Sequence, residues 1–182
     1  MTKPTLHLMV GLPGSGKSTL SQIIHEQTGA RHLSSDITRL ELFPEPTFNQ
    51  TEHDELYQHL DRELDKTLAN GDDAIYDANL NRRVHREEKY ELARKYGANV
   101  ILWWLCTDDN LSKERRISDQ NPDLLPDGES SDKMFDRIKE VFEYPDENEL
   151  AVRIEGVRLK KDPSKVTQAL QRAHDGNHYV RL

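Results

Sequence analysis

The residues with the clearest chemistry form one run, Gly11-Leu12-Pro13-Gly14-Ser15-Gly16-Lys17-Ser18-Thr19. It fits G-x-x-x-x-G-K-[ST] at every fixed position. The glycines let the backbone bend tightly, so consecutive N–H groups point inward at phosphate oxygens. A helix starting at the lysine adds the positive end of its dipole. Gly11, Pro13, Gly14, Ser15, Gly16, Lys17, Ser18 and Thr19 are therefore the nucleotide-binding candidates. Lys17 would reach the β- and γ-phosphates, and the Ser18 hydroxyl would hold Mg²⁺.

Two carboxylates join this run once the flanking elements are read. Thr5–Val10 is a short apolar strand feeding the loop, and Leu20, Ile23 and Ile24 share one face of the helix after it. Gly29 is the stop signal of that helix. Arg31–Ser34 is a second strand, and a short helical turn starts at Ser35. Ala74–Asp77 is a third strand closing on an acid. Strands alternating with helices imply a parallel sheet covered on both sides, with ligand at the C-terminal strand ends. That architecture gathers the loop, Asp36 and Asp77 onto one edge. Asp77 then stands where an acid orients a Mg²⁺ shell or an acceptor hydroxyl. Asp36 can take a hydroxyl proton, or simply cap its short helix. Arg39, three residues on, can fork onto an anionic group.

The remaining elements are read from periodicity and punctuation. Phe43–Pro46 is loop, and Asn49 or Thr51 caps a helix carrying Leu56, Leu60, Leu64 and Leu68 until Asn70-Gly71. A helix over about 83–96 stops at Gly97. Val100–Leu105 is the strongest strand, with both tryptophans as core. A charged helix spans about 110–118, and Gln120–Ser131 is loop. Met134, Phe135, Ile138, Val141 and Phe142 mark an amphipathic helix. Leu150–Ile154 is a fifth strand, and 162–173 a last helix.

Composition sets the class. The chain has 182 residues, 32% of them charged, and no apolar run near the ~20 residues a membrane helix needs. Met1–Pro4 leads straight into the first strand, with no apolar signal region. Cys106 is the single cysteine, so no internal disulfide forms, which points to a reducing cytoplasm and a buried structural thiol. The net charge is −8, with 11 acidic and 2 basic groups in residues 41–77 and 11 acidic and 3 basic in 117–150. Arg82-Arg83-Val84-His85-Arg86 is the one local basic stretch, either a solvated helix start or a contact for a polyanion. His174 and His178 are broken apart by Gly176-Asn177, so no transition-metal site is expected.

The chain resembles the 5′-polynucleotide kinases and related small P-loop kinases, with an AAA-type ATP-binding domain. The matching pieces are Gly11–Thr19, Ser34-Ser35-Asp36 with Arg39, Asp77-Ala78-Asn79-Leu80-Asn81, and Glu114-Arg115 before a lid. They recur in order over roughly residues 5–145. The resemblance implies one P-loop domain over residues 1–182: a five-stranded parallel sheet, helices on both faces, and a helical lid at about 110–142. It implies ATP and Mg²⁺ as cofactors, held at Ser18 and Asp77. Asp36 looks like the general base, Arg39 like an acceptor contact, and Asp77, Asn79 and Arg86 like acceptor-side residues. Arg115 looks like a lid arginine. The family's second lid arginine is replaced here by Asp119, so Arg116 or Arg137 has to do its work, and Arg115 is placed to pair with Asp119 at i, i+4. Ala78 lacks the hydroxyl that the family carries there. The implied function is an ATP-dependent kinase phosphorylating a hydroxyl, on a small metabolite or a nucleic-acid 5′-OH. The rival is a nucleotide-binding switch or adaptor without transfer.

Overall fold

The computed structural model describes residues 3–119, 125–126, 128–159 and 162–174. The expected loop over 120–131 therefore falls partly outside the described residues, as does His178. Five strands are described: β1 (Thr5–Val10), β2 (Arg31–Ser34), β3 (Ala74–Asp77), β4 (Asn99–Leu105) and β5 (Val152–Ile154). The helices are α1 (Lys17–Thr28), α2 (Ser35–Leu42), α3 (Gln50–Ala69), α4 (Arg83–Lys95), α5 (Asp109–Ser118), α6 (Ser131–Glu140), α7 (Gly156–Leu159) and α8 (Ser164–His174).

The strands form one parallel sheet in the order β2-β3-β1-β4-β5. Strand β1 is central, and the chain steps to β3 on one side and β4 on the other. A crevice opens at such a switch point, at the C-terminal strand ends. The register sets Ser34 opposite Asp77, which brings the start of α2 beside the end of β3. The expected five-stranded α/β architecture is what the chain adopts.

Alternation along the strands feeds two cores. Leu6, Leu8, Val10, Tyr76 and Leu102 meet the leucine stripe Leu56, Leu60, Leu64 and Leu68 on one face. Met9, Ile75, Ile101 and Trp103 meet Leu20 and Ile24 of α1 and Val166 and Ala169 of α8 on the other. Among the described residues no helix is long and apolar enough to cross a membrane.

Several element ends differ from the sequence reading. Strand β5 begins at Val152, not Leu150, because a 3-10 turn over Glu147–Glu149 delivers Leu150 in the left-handed region, φ 41°. Helix α6 ends at Glu140, where the Val141 and Phe142 N–H groups turn back to Ile138 and Lys139 in 3-10 fashion. Helix α7 has no counterpart in the sequence reading, since a four-residue helix opening on glycine carries no period. Only one of the two tryptophans is fully core: Trp103 is buried and donates Nε1–H to His7 Nδ1 (3.1 Å). Trp104 is half-buried under the Arg153 guanidinium, 4.5 Å from its ring centroid. Cys106 is likewise half-buried rather than core, with Sγ 3.5 Å from the Ile154 carbonyl.

Candidate active site

Strand β1 delivers the phosphate-binding loop into a cleft of about 800 Å³. Gly14 (φ 75°) packs so closely on α5 that an added Cβ would sit 2.1 Å from the Ser112 carbonyl oxygen. No side chain fits there, and the left-handed backbone independently favours glycine. The Ser15 N–H donates to the Leu12 carbonyl (3.1 Å), and Lys17 Nζ lies back on the Gly11 and Leu12 carbonyls at 2.8 and 3.1 Å. Burial pulls the Lys17 ammonium below its ordinary pKa. Asp77 and Asp36 oppose that shift, and Arg116 adds to it. Ser18 and Thr19 also line the cleft.

Asp77, at the end of β3, is buried and faces the same cleft. Its Oδ2 accepts from Ser21 Oγ (3.1 Å) on α1 and meets His32 Nε2 (3.2 Å) on β2. Burial pushes this carboxyl up, but the hydrogen bond from His32 and the charge of Lys17 outweigh it, and the net shift is downward. Asp77 thus stays ionised. A serine hydroxyl and an ionised carboxylate are hard oxygen donors of the kind Mg²⁺ takes, so Ser18 and Asp77 fit that ion. Among the described residues no cluster of three His, Cys, Asp or Glu side chains suits a metal.

Helix α2 is capped by Ser34, whose Oγ accepts from the Ile37 N–H (3.4 Å). Asp36 is therefore free of that duty and opens onto the cleft. Its carboxyl is raised, first by desolvation in the cleft and then by Asp77, against Lys17, Arg116 and Arg39. Arg39 lines the cleft but is already engaged: Nη1 donates to Glu52 Oε1, and its guanidinium lies 4.6 Å from the Phe48 ring centroid. Burial pushes Glu52 up, yet Thr47, through its backbone N–H (2.6 Å) and hydroxyl (2.9 Å), and Arg39 hold it ionised below the ordinary range. Asn79 is exposed to the cleft, with its N–H on Tyr57 Oη (3.1 Å). His53 lies against Tyr57, and burial first, then Arg39, lowers its pKa.

The α5 and α6 side of the cleft departs from the sequence reading in its pairing. Arg115, Arg116 and Arg137 all line the cleft. Asp119 sits 3.7 Å from Arg116, not against Arg115, because three residues of α5 and a turn bring 116 over 119. Arg137 is bidentate to Glu129 at 2.8 and 2.9 Å, which leaves Arg115 without an ion pair among the described residues. Arg116 is buried, and its Nε has no hydrogen-bond partner there.

Arg86 is not in the cleft, which corrects its reading as an acceptor-side residue. It is fully buried, with Nε and Nη2 on the Glu149 carboxylate at 2.7 and 2.6 Å and Nη1 on the Leu80 and Glu143 carbonyls, both 3.0 Å. It ties α4 to the 3-10 turn. Sequence reading also missed Ser21, His32, Glu52, Phe48, His53, Tyr57 and Thr107. The last donates to the Ser15 carbonyl (2.7 Å) and accepts from the Gly156 N–H (3.0 Å). None of these belongs to a spaced motif, and Ser21, His32 and Thr107 act through partners 56, 45 and 92 residues away.

The AAA domain family matches residues 6–145. The chain belongs to that family. No curated protein matches it. Among solved structures it is similar to a sugar kinase from Janibacter sp. HTCC2649, at 16% identity over 96% of this chain and 95% of that one, TM-score 0.63. It is similar to a chain of the Pnkp1/Rnl/Hen1 RNA repair complex, at 20% identity over 79% of this chain and 48% of that one, TM-score 0.61. It is also similar to the Mycobacterium tuberculosis APS kinase in complex with AMPPNP and APS, at 18% identity over 78% and 98%, TM-score 0.51. At these identities the likeness shows the fold alone.

Proposed function

We propose that this AAA domain protein is a kinase that moves the γ-phosphoryl group of ATP to a hydroxyl of a small acceptor. The observation that carries the reading is the convergence of Lys17, Asp36, Asp77 and Arg116 on one cleft. The loop N–H groups and Lys17 hold the triphosphate, and Lys17 leaves its two carbonyls to do so. Ser18 and Asp77 would hold Mg²⁺, which would neutralise charge on the phosphates. The acceptor oxygen attacks the γ-phosphorus, the bond to the β–γ bridging oxygen breaks, and ADP leaves. Asp36 takes the hydroxyl proton, and a carboxyl raised above its ordinary range is a better base for that step. Arg116, with Arg115, meets the charge spreading over the transferred group. The buried, unpartnered Nε of Arg116 supports this role, since a buried guanidinium N–H calls for an acceptor. The work belongs in the cytoplasm, where ATP is available.

A small acceptor is favoured over a nucleic-acid 5′-OH by the charges around the acceptor end. Glu52 compensates Arg39, which leaves the carboxylates of Asp36 and Asp77 at that end of the cleft. A polyanion meets repulsion in such a setting. The test is transfer of label from γ-labelled ATP, with wild type and Lys17→Ala compared across sugars, polyols, nucleosides and 5′-OH oligonucleotides. Phosphorylated product from a small acceptor, lost by at least ~10²-fold in the variant, supports the reading. Nucleotide-dependent partner binding with no transfer would favour a switch instead.

A further inference from the structure

Asp77 is held in the cleft by two elements other than its own. His32 of β2 is in register with Ile75 of β3. Residues two apart on a strand point to the same face, so Ile75 and Asp77 share the face that packs on α1. The His32 ring leans along its strand on that face, which brings Nε2 to 3.2 Å from Asp77 Oδ2. Ser21 closes from α1, and its Oγ donates to the same Oδ2 at 3.1 Å.

An ionised carboxylate only accepts, so the hydrogen of the histidine contact sits on His32 Nε2. Both donors converge on one oxygen of a side chain that is 5% exposed, and Ser21 is fully buried. The sheet does not need this pair, because β2 and β3 already pair in register over Arg31–Ser34 and Ala74–Asp77. Nor does the pair add much stability, since desolvating the carboxylate offsets most of the attraction. What two donors on one oxygen do fix is the rotation of the carboxylate about Cβ–Cγ, a torsion that is broad and two-fold when left to itself. That carboxylate lines the cleft together with Ser18.

We infer that His32, together with Ser21, is a positioning residue for the divalent cation: by pinning Oδ2 it holds the Asp77 carboxylate in one orientation for Mg²⁺. His32 acts through Asp77 and is not itself a ligand. The inference rests on the reading of Ser18 and Asp77 as the residues that would hold the ion. A carboxylate fixed in advance needs no ordering when the cation arrives, and partners of this kind are worth about 10- to 100-fold in metal affinity.

The test uses the full chain, the non-hydrolysable ATP analogue AMPPNP, and Mn²⁺ as the probe, since it takes the same hard oxygen donors as Mg²⁺. Binding of AMPPNP is titrated in EDTA and in Mn²⁺, and Mn²⁺ on the complex is counted by EPR with protein in excess over nucleotide. His32→Phe keeps a ring and removes the donor, whereas His32→Gln places an amide N–H near the position of Nε2. His32→Phe should weaken Mn²⁺ by about 10-fold or more, with AMPPNP in EDTA bound within about 2-fold of wild type. His32→Gln should recover most of the loss. Ser21→Ala should weaken Mn²⁺ in the same direction, and with His32→Gln it carries the comparison if His32→Phe does not fold. In an Asp77→Asn background His32→Phe should cost nothing further, because its effect passes through that carboxylate. Earlier melting with unchanged Mn²⁺ affinity makes the pair a clip between strands and overturns the inference. So does an equal loss of AMPPNP in EDTA and in Mn²⁺, or a loss that persists in the Asp77→Asn background. If Asp77→Asn weakens Mn²⁺ and His32→Phe does not, the inference alone fails. If Asp77→Asn leaves Mn²⁺ binding unchanged, or wild type binds no AMPPNP, the cation reading fails and takes the inference with it.

Discussion

Thr107→Val isolates how the phosphate-binding loop is held open to its ligand. One hydroxyl, 7% exposed, joins three segments: it donates to the Ser15 carbonyl and accepts from the Gly156 N–H. A peptide unit is planar and trans, so its C=O and the following N–H point in opposite directions. Fixing the Ser15 oxygen towards Thr107 therefore aims the Gly16 N–H away from it, on the side where the loop meets phosphate. Valine keeps the shape and removes both hydrogen bonds. Each lost bond is worth about 0.5–1.5 kcal/mol, and each stranded buried group about 1–3 kcal/mol, so a stability loss of about 2–4 kcal/mol follows. Triphosphate binding should weaken by a further ~10-fold or more, the worth of one misaimed hydrogen bond to a charged group. The assay is titration with an ATP analogue and Mg²⁺ below the variant's melting temperature, beside Thr107→Ser, which should restore affinity. Gly156→Ala strikes the same joint, since its Cβ would lie 1.9 Å from the Ser15 oxygen. A Thr107→Val protein that melts early yet binds ATP like wild type refutes the reasoning.

Asp36→Asn should leave ATP affinity intact and lower transfer by about 10²-fold or more, while removing an acid limb that in wild type lies above the ordinary carboxylate range; pH–rate profiles of kcat check both. Glu149→Gln should cost about 3–5 kcal/mol in denaturant unfolding by stranding the buried Arg86 charge, with KM for ATP unchanged, which separates a structural from a substrate role for that arginine. Burial lowers the His7 pKa from 6.5 to about 4. The unfolded chain then binds the extra proton between those values, so stability should fall by up to about 3 kcal/mol as pH drops from 6.5 to 4 and level off below. His7→Gln should flatten that slope in melts across the window.

The loop was legible because its chemistry is local: nine consecutive residues set both backbone and charge. Asp36 and Asp77 were legible for a topological reason, since parallel strands bring their C-terminal ends together whatever lies between. The leucines of α3 declared their face by period alone. What escaped reading has the opposite character. Arg86 and Glu149 are 63 residues apart, Thr107 and Ser15 are 92 apart, and His32 and Asp77 are 45 apart. No spacing rule joins such pairs. In Arg82–Arg86 the sequence shows a basic run, but only packing reveals that one member faces inward to a carboxylate. The Asp119 pairing failed for a smaller reason: both i, i+3 and i, i+4 partners were arginines, and the end of α5 selected the nearer turn.

Helix α5 and the phosphate-binding loop are mechanically joined. Gly14 rests on the Ser112 carbonyl, one turn before Arg116 on the same helix. Ser15 Oγ, Ser112 Oγ and Arg116 Nε are buried there without hydrogen-bond partners among the described residues. Native interiors leave few such atoms, and these three sit on two adjoining segments. Their unmet hydrogen-bonding capacity is therefore available where the loop meets the arginine helix. Triphosphate oxygens drawn in by Lys17 can satisfy the Arg116 N–H, and a small turn of α5 about the Gly14 contact would carry Ser112 and Arg115 with it. Because Asp119 is 72% exposed on its side chain and only 3.7 Å from Arg116, it can swing outward at little cost. The carboxylate of Asp119 is thereby compatible with the proposed transfer, in which Arg116 supplies the charge from inside the helix.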